Sequence, residues 1–127
     1  MHRLARSTVV HVAFAALAMG GWALFANCGH GLSAAIGPAI AQGAVSGLIT
    51  LFLKRALEAM TARMSGLLAY TAPPAITAAV ILVTLIGVHR LIGTPEIART
   101  IAVPWTVSTL YAILYAAALV RQKAKAP

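Results

Sequence analysis

Acidic residues are almost missing from this chain: Glu58 and Glu96 are the only two among 127 residues, set against ten lysines and arginines. Charged residues of either sign make up only 9% of the sequence, where soluble domains carry about 25%. That shortage excludes an ordinary water-soluble fold. Cysteine is reduced to Cys28, which rules out an intrachain disulfide or a multi-cysteine metal centre. No strand-turn-helix elbow and no glycine-rich phosphate loop accompanies the few nucleophiles, so nothing in the pattern marks an enzyme. A proton-coupled antiporter for cations would need an acid inside the membrane. Both glutamates fall outside the apolar runs, which argues against that class too.

What is present is hydrophobicity, at 61% of residues. It is gathered into four long runs, at 7–26, 32–53, 67–88 and 101–120. The 32–53 run is uncharged over 22 residues. At 1.5 Å per residue it would be about 33 Å long as a helix, enough to cross a hydrocarbon core of about 30 Å. The sequence therefore predicts an all-α integral membrane protein, a single domain of four transmembrane helices arranged as two antiparallel hairpins. The first run, at 20 residues, exceeds the roughly 7–15 of a signal peptide, and Asn27 stands before Cys28 where a cleavage site has a small residue. It reads as a retained helix.

The net charge of +8 would suggest nucleic acid in a soluble protein, but here the basic residues sit at the ends of apolar runs. Arg3, Arg6, Lys54, Arg55, Arg63, Arg121, Lys123 and Lys125 fall on one side of the alternating spans, and Arg90 and Arg99 on the other. The positive-inside rule then places both termini and the middle loop in the cytoplasm, as in a bacterial inner membrane. The expected partners of these charges are anionic lipid headgroups, with no nucleic acid involved.

The polar residues inside the runs are the candidate functional groups. Gln42, Ser46 and Thr50 follow one another at steps of four on the second helix, and Ser108, Tyr111 and Tyr115 form a similar stripe on the fourth. Two roles compete for these stripes. They can bind helices together, or they can line a groove for an amphiphile. Gly43 and Gly47 form a GxxxG pair suited to close helix contact, within a hairpin or between protomers. Pro38 and Pro104 stand near the starts of the second and fourth helices, within the similar stretches 35–38 and 100–104. Two such hairpins would be related by a pseudo-two-fold axis along the membrane normal.

The connecting segments carry local expectations. The residues after Lys54, with charges spaced among Leu57, Met60 and Met64, suggest a short amphipathic helix in the headgroup layer, or else a continuation of the second helix. Pro73 and Pro74 suggest that the third helix starts or kinks there. Thr94-Pro95-Glu96 resembles an N-cap, a first-position proline and a favourable charge at the dipole. Trp105 is expected near the outer interface. Asn27, His30, His89, Arg90 and Glu96 form a polar cluster on the outer side, and His11 is a candidate bond partner for Gln42 or Tyr115. Paired histidines raise the alternative of a haem or quinone protein, but a metal site normally needs three or four ligands, so no metal and no cofactor is expected.

The function this supports is a small non-enzymatic transporter or flippase-like protein for a lipidic or amphiphilic substrate, acting as a homodimer or other oligomer. An accessory subunit docking on a larger membrane enzyme is the alternative.

Overall fold

Four long helices and one helical turn account for the chain in its computed structural model, which describes the backbone of residues 2–126 and the side chains of residues 7–126. They are α1 (His2–Asn27), a 3₁₀ turn at Cys28–His30, α2 (Leu32–Arg63), α3 (Gly66–Leu91) and α4 (Ile97–Lys125). All four are long and apolar enough to cross a membrane. Arg3 and Arg6, which enter the sequence-based orientation, lie outside the described side chains.

Burial in this bundle runs against the pattern of a protein folded in water. Gln42, His89, Asn27 and Thr100 are fully buried, whereas Phe14, Leu17, Val83 and Leu114 are each at least 70% exposed. In water such an exterior would be costly, because large contiguous apolar patches drive association. Against lipid tails the exterior costs nothing, and the polar groups gain by facing one another. The apolar part of the interior is correspondingly small, formed by Leu53, Leu57, Ile81, Leu85, Ile101 and Ala112.

The most intimate contact joins α1 to α2, and glycine makes it possible. A Cβ added to Gly43 would lie 2.9 Å from the Ala16 carbonyl oxygen, and one added to Gly20 would lie 3.0 Å from that of Ala39. Gly47 meets Val12 and Ala16 in the same seam. The contacts descend α1 while ascending α2, so the two helices run in opposite directions. Among the described residues, the small-residue face at Gly43 and Gly47 is thus occupied within the chain.

Several local expectations meet a different outcome. Of the two readings of the segment after Lys54, the continuation of the second helix is the one found, in place of a separate interfacial helix: α2 runs on to Arg63, with Leu57 and Thr61 buried on its inner side. Its carboxyl end is held by Lys123, whose Nζ donates to the carbonyls of Ala62 (3.4 Å) and Met64 (3.0 Å). A cation there also complements the negative end of the helix dipole. α3 starts at Gly66, ahead of Pro73 and Pro74, which are buried inside it. Each proline removes the donor for the carbonyl four residues earlier, at Ala69 and Tyr70. The Thr77 hydroxyl donates to the Pro73 and Pro74 carbonyls at 2.9 and 3.1 Å, and Thr84 bonds back to Val80 in the same way.

Trp105 makes a contact between helices. Its indole N–H donates to the Ala78 carbonyl at 2.9 Å, in the middle of α3, so it ties α3 to α4 well away from either helix end. α1 is fastened to α4 by Trp22, whose N–H donates to the Arg99 carbonyl at 3.0 Å.

Candidate functional site

At the end of the bundle that holds the 3₁₀ turn and the 92–96 loop, polar side chains from all four helices close two hydrogen-bonded chains. In the first, the Gln42 amide donates to Ser46 Oγ at 2.8 Å while its oxygen pairs with His89 Nε2 at 2.8 Å. The other ring nitrogen, Nδ1, lies 2.7 Å from the Thr94 hydroxyl. With Gln42 accepting, His89 donates from Nε2, and the neutral ring accepts from Thr94 at Nδ1. This explains why Thr94 does not cap α4. Its hydroxyl is committed to the preceding helix.

In the second chain, Asn27 Nδ2 donates to the Ala23 carbonyl and to Thr100 Oγ1, both at 2.8 Å. Asn27 Oδ1 accepts the Glu96 backbone N–H at 3.0 Å. The start of α4 is therefore satisfied by a side chain 69 residues away, and Glu96, at the N-cap position, makes no side-chain cap of its own. Its carboxylate instead meets His30 Nε2 at 2.9 Å on the surface. Arg90 is exposed and Cys28 donates only to the Phe25 carbonyl, at 3.1 Å.

The outer cluster proposed from sequence is thus divided. Asn27, His30 and Glu96 meet; His89 belongs to the Gln42 chain; Arg90 joins neither. Both ring nitrogens of His89 are engaged and His30 pairs with Glu96, so neither histidine is placed to ligate jointly with the other. Among the described residues no group of three metal-ligating side chains gathers anywhere.

The other half of the bundle contains a cleft of about 640 Å³ between α1, α2 and α4. Of the six groove candidates, Ser46, Thr50, Ser108 and Tyr111 line it. Gln42 does not, since it is sealed in the network above, and Tyr115 stands beside the cleft, stacked on Tyr111 with ring centres 5.4 Å apart. Pro104 is in the wall, and Pro38 is buried elsewhere. Apolar lining comes from Ala15, Met19, Ile49, Leu53 and Val107. The polar end is supplied by Ser7, Thr8 and His11 of α1 and by Lys54, Arg55 and Glu58 of α2. His11 lies 3.5 Å from Ser7 Oγ, a turn away on its own helix, in place of the bond to Gln42 or Tyr115 that its depth suggested.

Glu58 is the residue whose role sequence reading missed. Its carboxylate accepts the Tyr115 hydroxyl at 2.6 Å and lies 3.8 Å from Lys54 Nζ. The signal was partly available in the spacing: Lys54 and Glu58 continue the row 42, 46, 50 in steps of four, each turning about 40° around the helix, so the row winds from the buried Gln42 to the half-exposed Glu58. No known protein family, curated protein or solved structure matches the chain.

Proposed function

We propose that this protein binds a lipidic or amphiphilic molecule in the cleft between α1, α2 and α4 and moves it across the bacterial inner membrane, acting as an oligomer of four-span protomers. In this arrangement each protomer is two antiparallel hairpins with both termini cytoplasmic, and the polar end of the cleft faces the inner leaflet, where the positive-inside rule puts Lys54 and Arg55. The observation that carries the reading is the grading of the cleft. An apolar stretch at Met19, Ile49 and Val107 passes into a hydroxylated and charged end at Ser7, Thr8, Lys54, Arg55 and Glu58, which is the profile of a tail joined to a headgroup. Its size, about 640 Å³, falls within the range of small-molecule sites. The hydroxyl–imidazole contact in it, Ser7 Oγ to His11 Nδ1 at 3.5 Å, stands at the outer limit of hydrogen bonding, and the reading is non-enzymatic.

Reconstitution tests it. Proteoliposomes containing the protein are expected to expose fluorescent lipid to an external quencher faster than empty liposomes. Ser108→Leu, which fills the cleft wall, is expected to abolish the excess rate. Equal rates with and without protein, or a Ser108→Leu rate equal to wild type in a folded variant, would sink the proposal.

An accessory subunit docked on a larger membrane enzyme is the second reading. It draws on Gly37 of α2 and Gly87 of α3, exposed glycines with open space around them, which offer close approach to another helix. Purification in mild detergent separates the two: a stoichiometric large partner supports the accessory reading, and a self-contained oligomer supports transport.

A further inference from the structure

We infer that the cleft selects amphiphiles with an anionic, phosphate-bearing headgroup, and that Arg55 is the charge that holds it. This rests on the amphiphile reading above and names its substrate class.

Side-chain carboxylates are the scarce charge in this protein. Only Glu58 and Glu96 exist in the chain. Glu96 is at the opposite end of the bundle, bonded to His30. Glu58 is already engaged, accepting the Tyr115 hydroxyl and pairing with Lys54. Arg55 lines the cleft, is exposed, and makes no ion pair or side-chain hydrogen bond among the described residues. Among the described residues, Arg55 therefore has no counter-anion from within the chain and is available to one from outside.

The surroundings decide what kind of anion fits. A guanidinium presents a planar fork of donors matched to phosphate oxygens, and it is more weakly hydrated than an ammonium, so it gives up water readily at an apolar boundary. The facing wall on α1 adds Ser7 and His11, both able to donate, and no acid. Lys54 and Arg55 against Glu58 leave the mouth net positive, which disfavours a cationic amphiphile. Met19, Ile49 and Val107 lie in the same cleft and would take the hydrocarbon chain. Arg63 serves as an internal contrast. It is also exposed on α2, but its guanidinium donates to the Ala59 carbonyl at 2.9 Å and it lies outside the cleft.

The experiment measures binding to the detergent-purified protein by native mass spectrometry and by competition. The probes are dioleoyl phosphatidylglycerol, dioleoylglycerol, a long-chain alkylammonium and inorganic phosphate. Phosphatidylglycerol is expected to bind about 10-fold more tightly than dioleoylglycerol, as one charge-assisted contact supports. R55Q is expected to erase that preference, R55K to restore part of it, and R63Q to leave it within about 2-fold. E58Q removes the competing carboxylate, frees Lys54 and is expected to raise phosphatidylglycerol affinity by a few-fold, a gain that misfolding cannot imitate.

Several outcomes overturn the inference. Equal binding of dioleoylglycerol with R55Q unchanged removes the headgroup selection and leaves the amphiphile reading standing. Preferential binding of the alkylammonium reverses the charge assignment. Equal losses in R55Q and R63Q reduce the effect to general attraction between basic residues and anionic lipid. Inorganic phosphate competing as well as the lipid makes the ligand a free anion. If no probe with a tail binds saturably, the amphiphile reading itself fails.

Discussion

Replacing Gln42 by Leu removes one of the two partners that hold the buried His89 ring, and the cost depends on what is left behind. Gln42 and His89 are both fully buried, and their bond is 2.8 Å long. Leucine leaves the His89 N–H facing an apolar group with no water to replace the amide oxygen, a loss of about 1–3 kcal/mol. His89→Leu costs a comparable amount, since it strands the Gln42 oxygen and the Thr94 hydroxyl together. The double variant removes both members of the pair, so it is expected to be less destabilised than the sum of the singles. Coupling energies for hydrogen bonds between membrane helices average about 0.6 and reach about 1.7 kcal/mol. A buried pair with the imidazole held from both sides belongs near the upper end, so about 1 kcal/mol is expected here. The measurement is reversible unfolding in mixed micelles for the wild type, both singles and the double. Gln42→Leu combined with Thr84→Val provides the control, because Thr84 is exposed and bonds only to Val80 of its own helix. That pair should add within about 0.5 kcal/mol. A Gln42–His89 coupling below about 0.3 kcal/mol, or no larger than the control, would refute the claim that this bond joins α2 to α3.

Three further outcomes follow from specific contacts. Gly43→Ala drives a methyl to 2.9 Å from the Ala16 carbonyl, an atom that cannot swing aside, and is expected to lower stability by about 1–3 kcal/mol; Gly21→Ala, with nothing within 4 Å, should be neutral or gain up to about 1 kcal/mol from helix propensity. The pair is read by thermal unfolding in detergent, and equal losses would contradict the seam. Asn27→Leu should expose the start of α4: the Glu96 amide loses its acceptor and Thr100 a donor, so hydrogen exchange over 96–100 should quicken by about 5-fold or more relative to 110–115. Tyr115→Phe removes the 2.6 Å bond to Glu58 but leaves a carboxylate that is 43% exposed and can rehydrate, so the expected loss is under about 1 kcal/mol by micelle unfolding.

The polar positions show where sequence reading reached and where it stopped. Gln42, Ser46 and Thr50 were legible as a row because helical spacing alone puts them on one face. That the row splits was not legible: Gln42 turns to His89, 47 residues away, while Ser46 and Thr50 open onto the cleft. Thr94 illustrates the same limit. Its local context satisfies the rules for an N-cap, but a histidine one turn earlier on α3 offers its hydroxyl a buried partner, and Asn27 from another helix serves the start of α4. The charged end of the cleft is hidden in the sequence because Lys54 also ends the uncharged 32–53 run. Interfacial position and cleft lining are compatible for a residue whose helix continues for another two turns.

Composition and run length alone dictate that the chain is helical, that four helices are long and apolar enough to span a membrane, and where each apolar run lies. Those follow from composition and from the backbone's need to satisfy its own hydrogen bonds in hydrocarbon. Which polar groups are consumed and which remain is set by how the helices pack. That packing brings Asn27 to α4, His89 to Gln42 and Tyr115 to Glu58, and thereby leaves Arg55 unpaired beside a cleft. A side chain's availability depends on partners far away in sequence, and hydrogen bonds across dozens of residues are set by how helices pack, which no local pattern encodes.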